Sequence, residues 1–363
     1  MTAITLRLAA RCEAAGRPNN EDNYQINENL SEGKWGFATD AEIKLSASGA
    51  LLVVADGMGG TNAGEVASAL AIESIKEWFD PKNLARESFK YPSDIKSYIK
   101  KAIQAADRKI KEHGKKNPET DGMGSTIVLA WLINEYVYVG WCGDSRCYRF
   151  NPEDGFTQLS HDHSYVQELV DNGKLEPELA FEFPDRNIIT RCLGDPYRKA
   201  NPDIIEFPLH NGDVILLCSD GLSGVLQDRE IEAVISGNAE SMKDCRDALW
   251  STSNEAGWDD NVTLALCRVV SGVAEEYQSN TVKIGAKEEK PPQAPVEEPV
   301  TPPAVEKVKS KVKVKRKRKK KRGKKVFVLL LWLFIIISLI GLAWFFRAEL
   351  LEIAKPYLPV IKR

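Results

Sequence analysis

Three apolar runs of this 363-residue chain end on an aspartate: "LLVVAD" at Asp56, "YVYVGWCGD" at Asp144 and "VILLCSD" at Asp220, each followed by Gly or Ser. A fourth run begins with acids, "WDDNVTLAL", at Asp259 and Asp260. Runs of this kind read as buried strands. In antiparallel pairing the start of one strand lies beside the end of its neighbour, so four carboxylates meet at one edge of a sheet. Such a cluster repels itself and raises its own pKa values. Divalent cations remove the problem, and oxygen donors with no His or Cys beside them select Mg2+ or Mn2+ over zinc. A single Asp-Gly is an ordinary turn pair. Four carboxylates, together with "NNED" at 19–22, are poorly explained that way. Gly57 has no side chain in the way, so its carbonyl can turn toward a cation.

The pattern between these runs mixes hairpins and helices. Residues 125–150 read as a hairpin turning at Asn134-Glu135, followed by more strand. Helical spacing places Val66, Ala69, Leu70, Ile72, Ile75 and Phe79 on one face of 64–79, and Ile95, Ile99, Ile103, Ala106 and Ile110 on one face of 93–113. "DHSYVQELVDNGK" reads as a short helix stopped at Gly173. This predicts an α+β fold with antiparallel sheets. The stretch 28–48 reads as a surface hairpin or loop insertion. The seven cysteines are odd in number and include no C-x-x-C, so they are expected to be buried, reduced thiols.

Charge divides the chain. Residues 1–270 carry 43 acidic and 28 basic residues, whereas 307–325 alone hold 14 basic ones. An acidic body is a poor surface for nucleic acid, and no nucleic-acid partner is expected. Residues 271–306, rich in Pro and Glu, read as a disordered linker. Residues 326–346, "VFVLLLWLFIIISLIGLAWFF", are uncharged and almost wholly apolar, long enough for one transmembrane helix. The basic segment before it then stays inside and attracts anionic lipid. The expected organisation is a domain over 1–270, a linker over 271–306, a polybasic juxtamembrane segment over 307–325, a span over 326–346 and a short extracytoplasmic tail over 347–363. That makes a single-pass protein of the cell membrane with its domain in the cytoplasm. The opening "MTAITLRLAARCEAAG" lacks a basic region followed by an apolar core, so no secretory signal is expected there.

Eight stretches stand in the order of one known family: "GRPNNEDN" (16–23), "VVADGMGGTNAGEVAS" (53–68), "GMGSTIV" (122–128), "GWCGDSRCYRF" (140–150), "QLSHDHSYVQELVDNGKL" (158–175), "NIITRCLG" (187–194), "VILLCSDGLSGVL" (214–226) and "DDNVTLAL" (259–266). Together they cover nearly all of 1–270, and the domain resembles the metal-dependent protein serine/threonine phosphatases, the PPM or type-2C family, in their bacterial form. The resemblance implies two stacked antiparallel β-sheets flanked by helices, an α-β-β-α sandwich with metals at one end. It also implies roles. Asp56 bridges two Mn2+ or Mg2+ ions and Gly57 offers its carbonyl. Asp220 and Asp260 complete the first ion, and Glu21 and Asp22 serve the second, partly through water. Asp144 supports a third, looser ion, and Arg17 holds the substrate phosphate. The implied reaction is hydrolysis of phosphoserine and phosphothreonine by a metal-bridged hydroxide attacking phosphorus in line, with no covalent enzyme intermediate. Bacterial relatives commonly oppose a membrane Ser/Thr kinase, so that kinase and its phosphorylated substrates are the implied partners. The segment from Gly173 to Arg191 resembles a flap near the site that tunes substrate choice.

Other phosphate chemistries leave little trace. Only Cys192 is followed six positions later by Arg (Arg198), and neither D-x-D-x-[TV] nor G-x-x-x-x-G-K-[ST] occurs. One departure from many eukaryotic relatives is Met58, where they keep a His that is a candidate general acid. His161 and His163 are possible substitutes but are read as structural, which leaves a metal-bound water to protonate the leaving group.

Overall fold

The computed structural model describes residues 3–59 and 63–274. The described residues all fall within one compact unit. The expected linker beyond 274, the polybasic segment, the apolar run and the tail lie outside the described residues. Among the described residues no helix is long and apolar enough to cross a membrane.

In chain order the elements are β1 (Thr5–Glu13), β2 (Asp22–Asn27), β3 (Ile43–Lys44), β4 (Ala50–Met58), α1 (Ala63–Trp78), α2 (Pro81–Leu84), α3 (Pro92–Lys116), β5 (Gly124–Ser125), β6 (Ile127–Ile133), β7 (Tyr136–Cys142), β8 (Arg146–Asn151), β9 (Gly155–Gln158), α4 (Tyr165–Asp171), β10 (Asp203–Pro208), β11 (Val214–Cys218), α5 (Asp220–Ser223), α6 (Asp228–Asn238), α7 (Met242–Ala256) and β12 (Val262–Ser271). They build two antiparallel sheets, β3-β1-β12-β11-β8-β9 and β10-β7-β6-β4-β2, with β5 paired to β4. The expected hairpin is β6–β7, and Asn134 takes the left-handed conformation its turn requires (φ 54°).

Alternation along the strands makes three apolar layers. Leu52 and Val54 of β4 meet Leu6, Leu8, Leu217 and Cys267 between the sheets. Leu51, Val53 and Ala55, on the other face of β4, meet α1 and α3. Tyr148, Leu216 and Leu264 meet Ile231, Ile235 and Leu249 of α6 and α7. Both faces of β4 are therefore covered, which is why it reads as an unbroken apolar run. Each fully buried Leu, Ile or Val contributes about 1.5–3 kcal/mol, so these layers dominate the fold's stability.

The expected face of α3 is the observed one, with Ile95, Ile99, Ile103, Ala106 and Ile110 all buried. On α1 the face is rotated. Ala63, Gly64, Ala67, Ser68 and Ala71 are buried with Ile72 and Ile75, whereas Ala69 is exposed and Val66 and Leu70 are only half-buried. Small residues let α1 lie close against its strand, and that close approach rather than side-chain bulk selected the face.

Residues 28–48 form no hairpin. They run irregularly past both sheet edges, bridging Asn27 to Gly36 and Leu8 to Thr39, before β3 pairs with β1. Leu30 is fully buried, and Phe37, Ile43 and Leu45 pack on the layer between the sheets. The insertion thus closes one edge of the sandwich. At the other end of the domain, β12 reaches Ser271 and Val273 is buried, its N–H and carbonyl both bonded by Asn211. The folded part therefore continues slightly past residue 270.

Candidate metal centre and active site

The strand ends converge as the antiparallel argument requires. Asp22 opens β2 and lies opposite Asp56 of β4. Asp220 follows β11, Asp260 precedes β12, and Asp144 follows β7. One sheet supplies Asp22 and Asp56, the other Asp220 and Asp260, and Asp144 sits on the connection between them.

Electrostatics bind the group into a unit. Asp56 and Asp220 lie beside one another, and each shifts the other's titration. Burial first, then the charges of Asp22, Asp220 and Asp144, pushes the carboxyl of Asp56 well above the usual carboxylate range. Asp144 is raised in the same way, by burial and then by Asp220 and Asp162. Burial pushes Asp22 up to about 7 against hydrogen bonds that favour its ionised form, and Asp220 and Asp260 add to the rise. Glu21, at the rim, is raised by burial and by Asp260. Shifts of this direction across neighbouring acids mark a site that holds charge at a cost unless cations join it.

The backbone around Asp56 is fixed by residues that the sequence reading did not single out. Ser125 Oγ donates to the Asp56 carbonyl (2.9 Å), and the Asp56 N–H donates to Thr126 Oγ1 (3.1 Å). Ser219 Oγ donates to Asp22 Oδ2 (2.7 Å), tying the residue before Asp220 to the other sheet. Asn261 accepts from the Glu21 N–H (2.8 Å) and donates to the carbonyls of Ala14 and Asn19, so it holds the loop carrying Arg17 and Glu21 against β12. Their signal was position alone: small polar residues directly beside the acids.

Among the described residues no three His, Cys, Asp or Glu side chains already form a coordination shell. The carboxylates instead rest on Ser219 (Asp22) and on Arg17 (Asp260), with Asp56 beside Asp220. Two observations nonetheless fit hard divalent cations. Asp144 Oδ1 is buried with no hydrogen-bond partner among the described residues, in the field of Asp220 and Asp162. The backbone at Gly57 is so confined that an added Cβ would lie 2.0 Å from the Gly64 oxygen and 2.6 Å from the Glu21 oxygen. Side chains are thereby excluded beside Asp56, and every nearby donor is oxygen.

That crowding gives an expected result. Gly57→Ala should destabilise the protein by about 3 kcal/mol, because both opposing atoms are backbone and neither can step aside. Mn2+ affinity should fall with it. A thermal melt and a calorimetric Mn2+ titration check both, and an unchanged melting temperature would contradict this account of the glycine.

Arg17 lies at the rim with its side chain 53% exposed, its Nε on the Asp259 carbonyl (2.7 Å) and its Nη2 on Asp260 (2.9 Å). The flap segment borders a cavity of about 340 Å3 whose walls include Asp144, Asp220, Phe181 and Arg186. Arg186 donates to the carbonyls of Phe181 and Gly224. It is a second guanidinium near Asp220 that the sequence reading missed, since nothing in "FPDRNI" distinguishes it from a surface arginine.

Both histidines hold structure. His163 Nδ1 accepts from the Gly143 N–H (3.2 Å), next to Asp144, and His161 Nε2 pairs with Asp171 (2.8 Å). Gly143 is itself obligatory, with φ +125° and Thr126 within 2.6 Å of any Cβ. The cysteines are all free. Five are buried and two half-buried, and burial raises every one of their thiols.

Comparison with known proteins places this geometry. Residues 38–266 match the family model for protein phosphatase 2C. The chain belongs to the protein phosphatase 2C family. A serine/threonine phosphatase, stp, of Listeria innocua is 31% identical over 251 residues, which cover 69% of this chain and 90% of that one. The protein phosphatase PhpP of Streptococcus pneumoniae is 33% identical over 218 residues, covering 60% and 84%. The solved Mycobacterium tuberculosis serine/threonine phosphatase PstP/Ppp superposes with a TM-score of 0.61 at 30% identity, covering 74% of this chain and all of that one. The PstP catalytic domain has also been solved with two manganese ions, and this chain matches it with a TM-score of 0.57. The chain is thus a PP2C-type serine/threonine phosphatase, a metal-dependent hydrolase acting on phosphorylated proteins. As a member of the family it takes Mn2+ or Mg2+.

Proposed function

We propose that this phosphatase works tethered to the cytoplasmic face of the cell membrane, and that it hydrolyses phosphoserine and phosphothreonine in line, without a covalent enzyme intermediate. The observation that carries the chemical part is the meeting of buried Asp22 and Asp144 with half-buried Asp56 and Asp220, with a guanidinium, Arg17, at the rim.

Asp56, lying between Asp22 and Asp220, would hold two cations at once, with the Gly57 carbonyl beside it. Asp220 and Asp260 would complete the first, Glu21 and Asp22 the second, and the unpartnered Asp144 Oδ1 would serve a third, looser one. Bound there, the cations supply a nucleophile from water near neutral pH and a positive field over the phosphate. Arg17 exchanges its carboxylate partner for phosphate oxygens, to which its planar fork is matched. The burial that raises the aspartates also keeps bulk water from screening them. Met58 has no proton to give, and both histidines are held elsewhere, so the leaving alkoxide takes its proton from water.

The tether rests on sequence. Residues 326–346 are uncharged and long enough to span about 30 Å of hydrocarbon, and the 14 basic residues of 307–325 suit anionic lipid on the same side as the domain. A linker of this length concentrates the enzyme on membrane-bound phosphoproteins, a Ser/Thr kinase and its substrates foremost. Deleting residues 326–363 should move the protein to the soluble fraction while turnover of a soluble phosphothreonine peptide stays within about twofold. Protein that remains at the membrane after the deletion would overturn the anchor.

A further inference from the structure

One surface loop, residues 194–200, is fixed from beneath by an unusual number of side chains. Gln104, Asp107 and Lys111 lie on one stripe of α3. Gln104 Nε2 donates to the Ala200 carbonyl (3.2 Å), and Lys111 Nζ donates to the Arg198 carbonyl. Asp107, almost fully buried, accepts from the N–H groups of Gly194 (2.9 Å) and Ala200 (3.2 Å). From within the loop Asp195 Oδ1 accepts from the N–H groups of Tyr197 (2.8 Å) and Arg198 (3.2 Å).

What this platform displays is charge. The side chains of Arg198 and Lys199 have no hydrogen bond or ion pair among the described residues, and Tyr197 between them and Asp195 is 94% exposed. With Arg191, which is paired to Asp203, they border a depression of about 190 Å3. One carboxylate, Asp195, also lines it, already occupied by backbone N–H groups. On a body with 43 acidic against 28 basic residues, adjacent unpaired cations on a rigid loop select an anion.

The loop is also close to the chemistry. Leu193 pairs with Ser125 of β5, and Ser125 pairs on its other side with Gly57. Two strand spacings, about 10 Å, therefore separate the Gly57 backbone from the start of the loop. An extended peptide covers that in about three residues.

We propose that Arg198 and Lys199, with Arg191 at the wall, form a subsite for a second phosphorylated residue of the substrate, at least about three positions from the one being hydrolysed, since these cations lie beyond Leu193 on the loop. A phosphate brings nearly two negative charges and three acceptor oxygens, which two adjacent cations match better than they match a single carboxylate. The subsite rests on the phosphatase reading above and adds to it a preference for multiply phosphorylated segments.

The test uses the full-length chain with Mn2+ and phosphothreonine peptides carrying, at each of about three to six residues to either side, threonine, aspartate or a non-hydrolysable phosphonate. The phosphonate on one side should lower KM by about tenfold with little change in kcat. The double variant Arg198→Ala/Lys199→Ala should erase that gain while its turnover of p-nitrophenyl phosphate and of the singly phosphorylated peptide is unchanged. Raising salt should erode the gain in the unaltered protein, which checks the charge argument without any substitution. Equal KM for the threonine and phosphonate peptides, a gain that survives the double variant, or an equal gain from aspartate would each overturn the subsite. Absence of turnover of every substrate by the unaltered protein would instead be a failure of the phosphatase reading.

Discussion

Asp56→Asn should lower kcat/KM for a phosphothreonine peptide on the order of a thousandfold, about 4 kcal/mol of transition-state stabilisation. Asp56 lies in the field of three other carboxylates: it faces Asp22 across the strand ladder and is raised by the charges of Asp22, Asp220 and Asp144. Asparagine keeps the shape and one oxygen but removes the charge that two cations would share. Raising Mn2+ should not restore the rate. Arg17→Ala should behave differently, since that guanidinium stands at the exposed rim on Asp260, and its proposed role is to take the substrate phosphate rather than a cation. Its loss should appear mostly in KM, by roughly tenfold. Steady-state kinetics across a Mn2+ series separates the two. Turnover that survives Asp56→Asn, or that survives chelation, would sink the proposed mechanism.

Chelated protein should melt at a lower temperature at pH 8 than at pH 5.5, and Mn2+ should raise the melting temperature more at pH 8. The folded-state pKa values of Asp22, Asp56, Asp144 and Asp220 all lie above their ordinary value near 4, with Asp22 at about 7. The folded state therefore binds more protons than the unfolded chain between these values, and stability falls as pH rises through that window. Below pH 4 the cost is absent, and above the folded values it is complete. Cations take the place of the protons and bind best once the carboxylates are ionised. At a hundredfold excess over the dissociation constant the gain is about 2.7 kcal/mol, roughly 5 °C for a domain of this size. Differential scanning calorimetry with and without chelator measures both effects. A chelated protein whose melting temperature is flat or rises from pH 5.5 to pH 8 would contradict the cost assigned to the cluster.

The fold and the acids were legible in the sequence for a common reason. An apolar run that ends in Asp-Gly states locally both that a strand is buried and where it stops, so Asp56 and Asp220 could be placed without knowing what lay beside them. The helper residues could not. Asn261 acts on Glu21 from 240 positions away and Ser219 acts on Asp22 from 197 away, so their meaning exists only once the two sheets are stacked. The face of α1 was misjudged because apolar bulk guided the reading. The helix buries Ala67 and Ala71 and leaves Ala69 in solvent, since distance of approach to the Gly57 backbone mattered more than area. Residues 28–48 looked like surface because their pattern has no period, yet Leu30 is fully buried and the segment closes an edge.

Each sheet carries half of the acidic cluster, Asp22 and Asp56 on one and Asp220 and Asp260 on the other. The gap between the reacting groups is therefore set by Leu52, Val54, Leu217 and their neighbours, side chains that never meet phosphate. That apolar layer acts as a gauge block. Thinning or thickening it by a methyl group changes how the two halves of the catalyst face each other. Rate should thus be the more sensitive reporter of interior packing in this enzyme, faltering while the protein still melts as a folded domain.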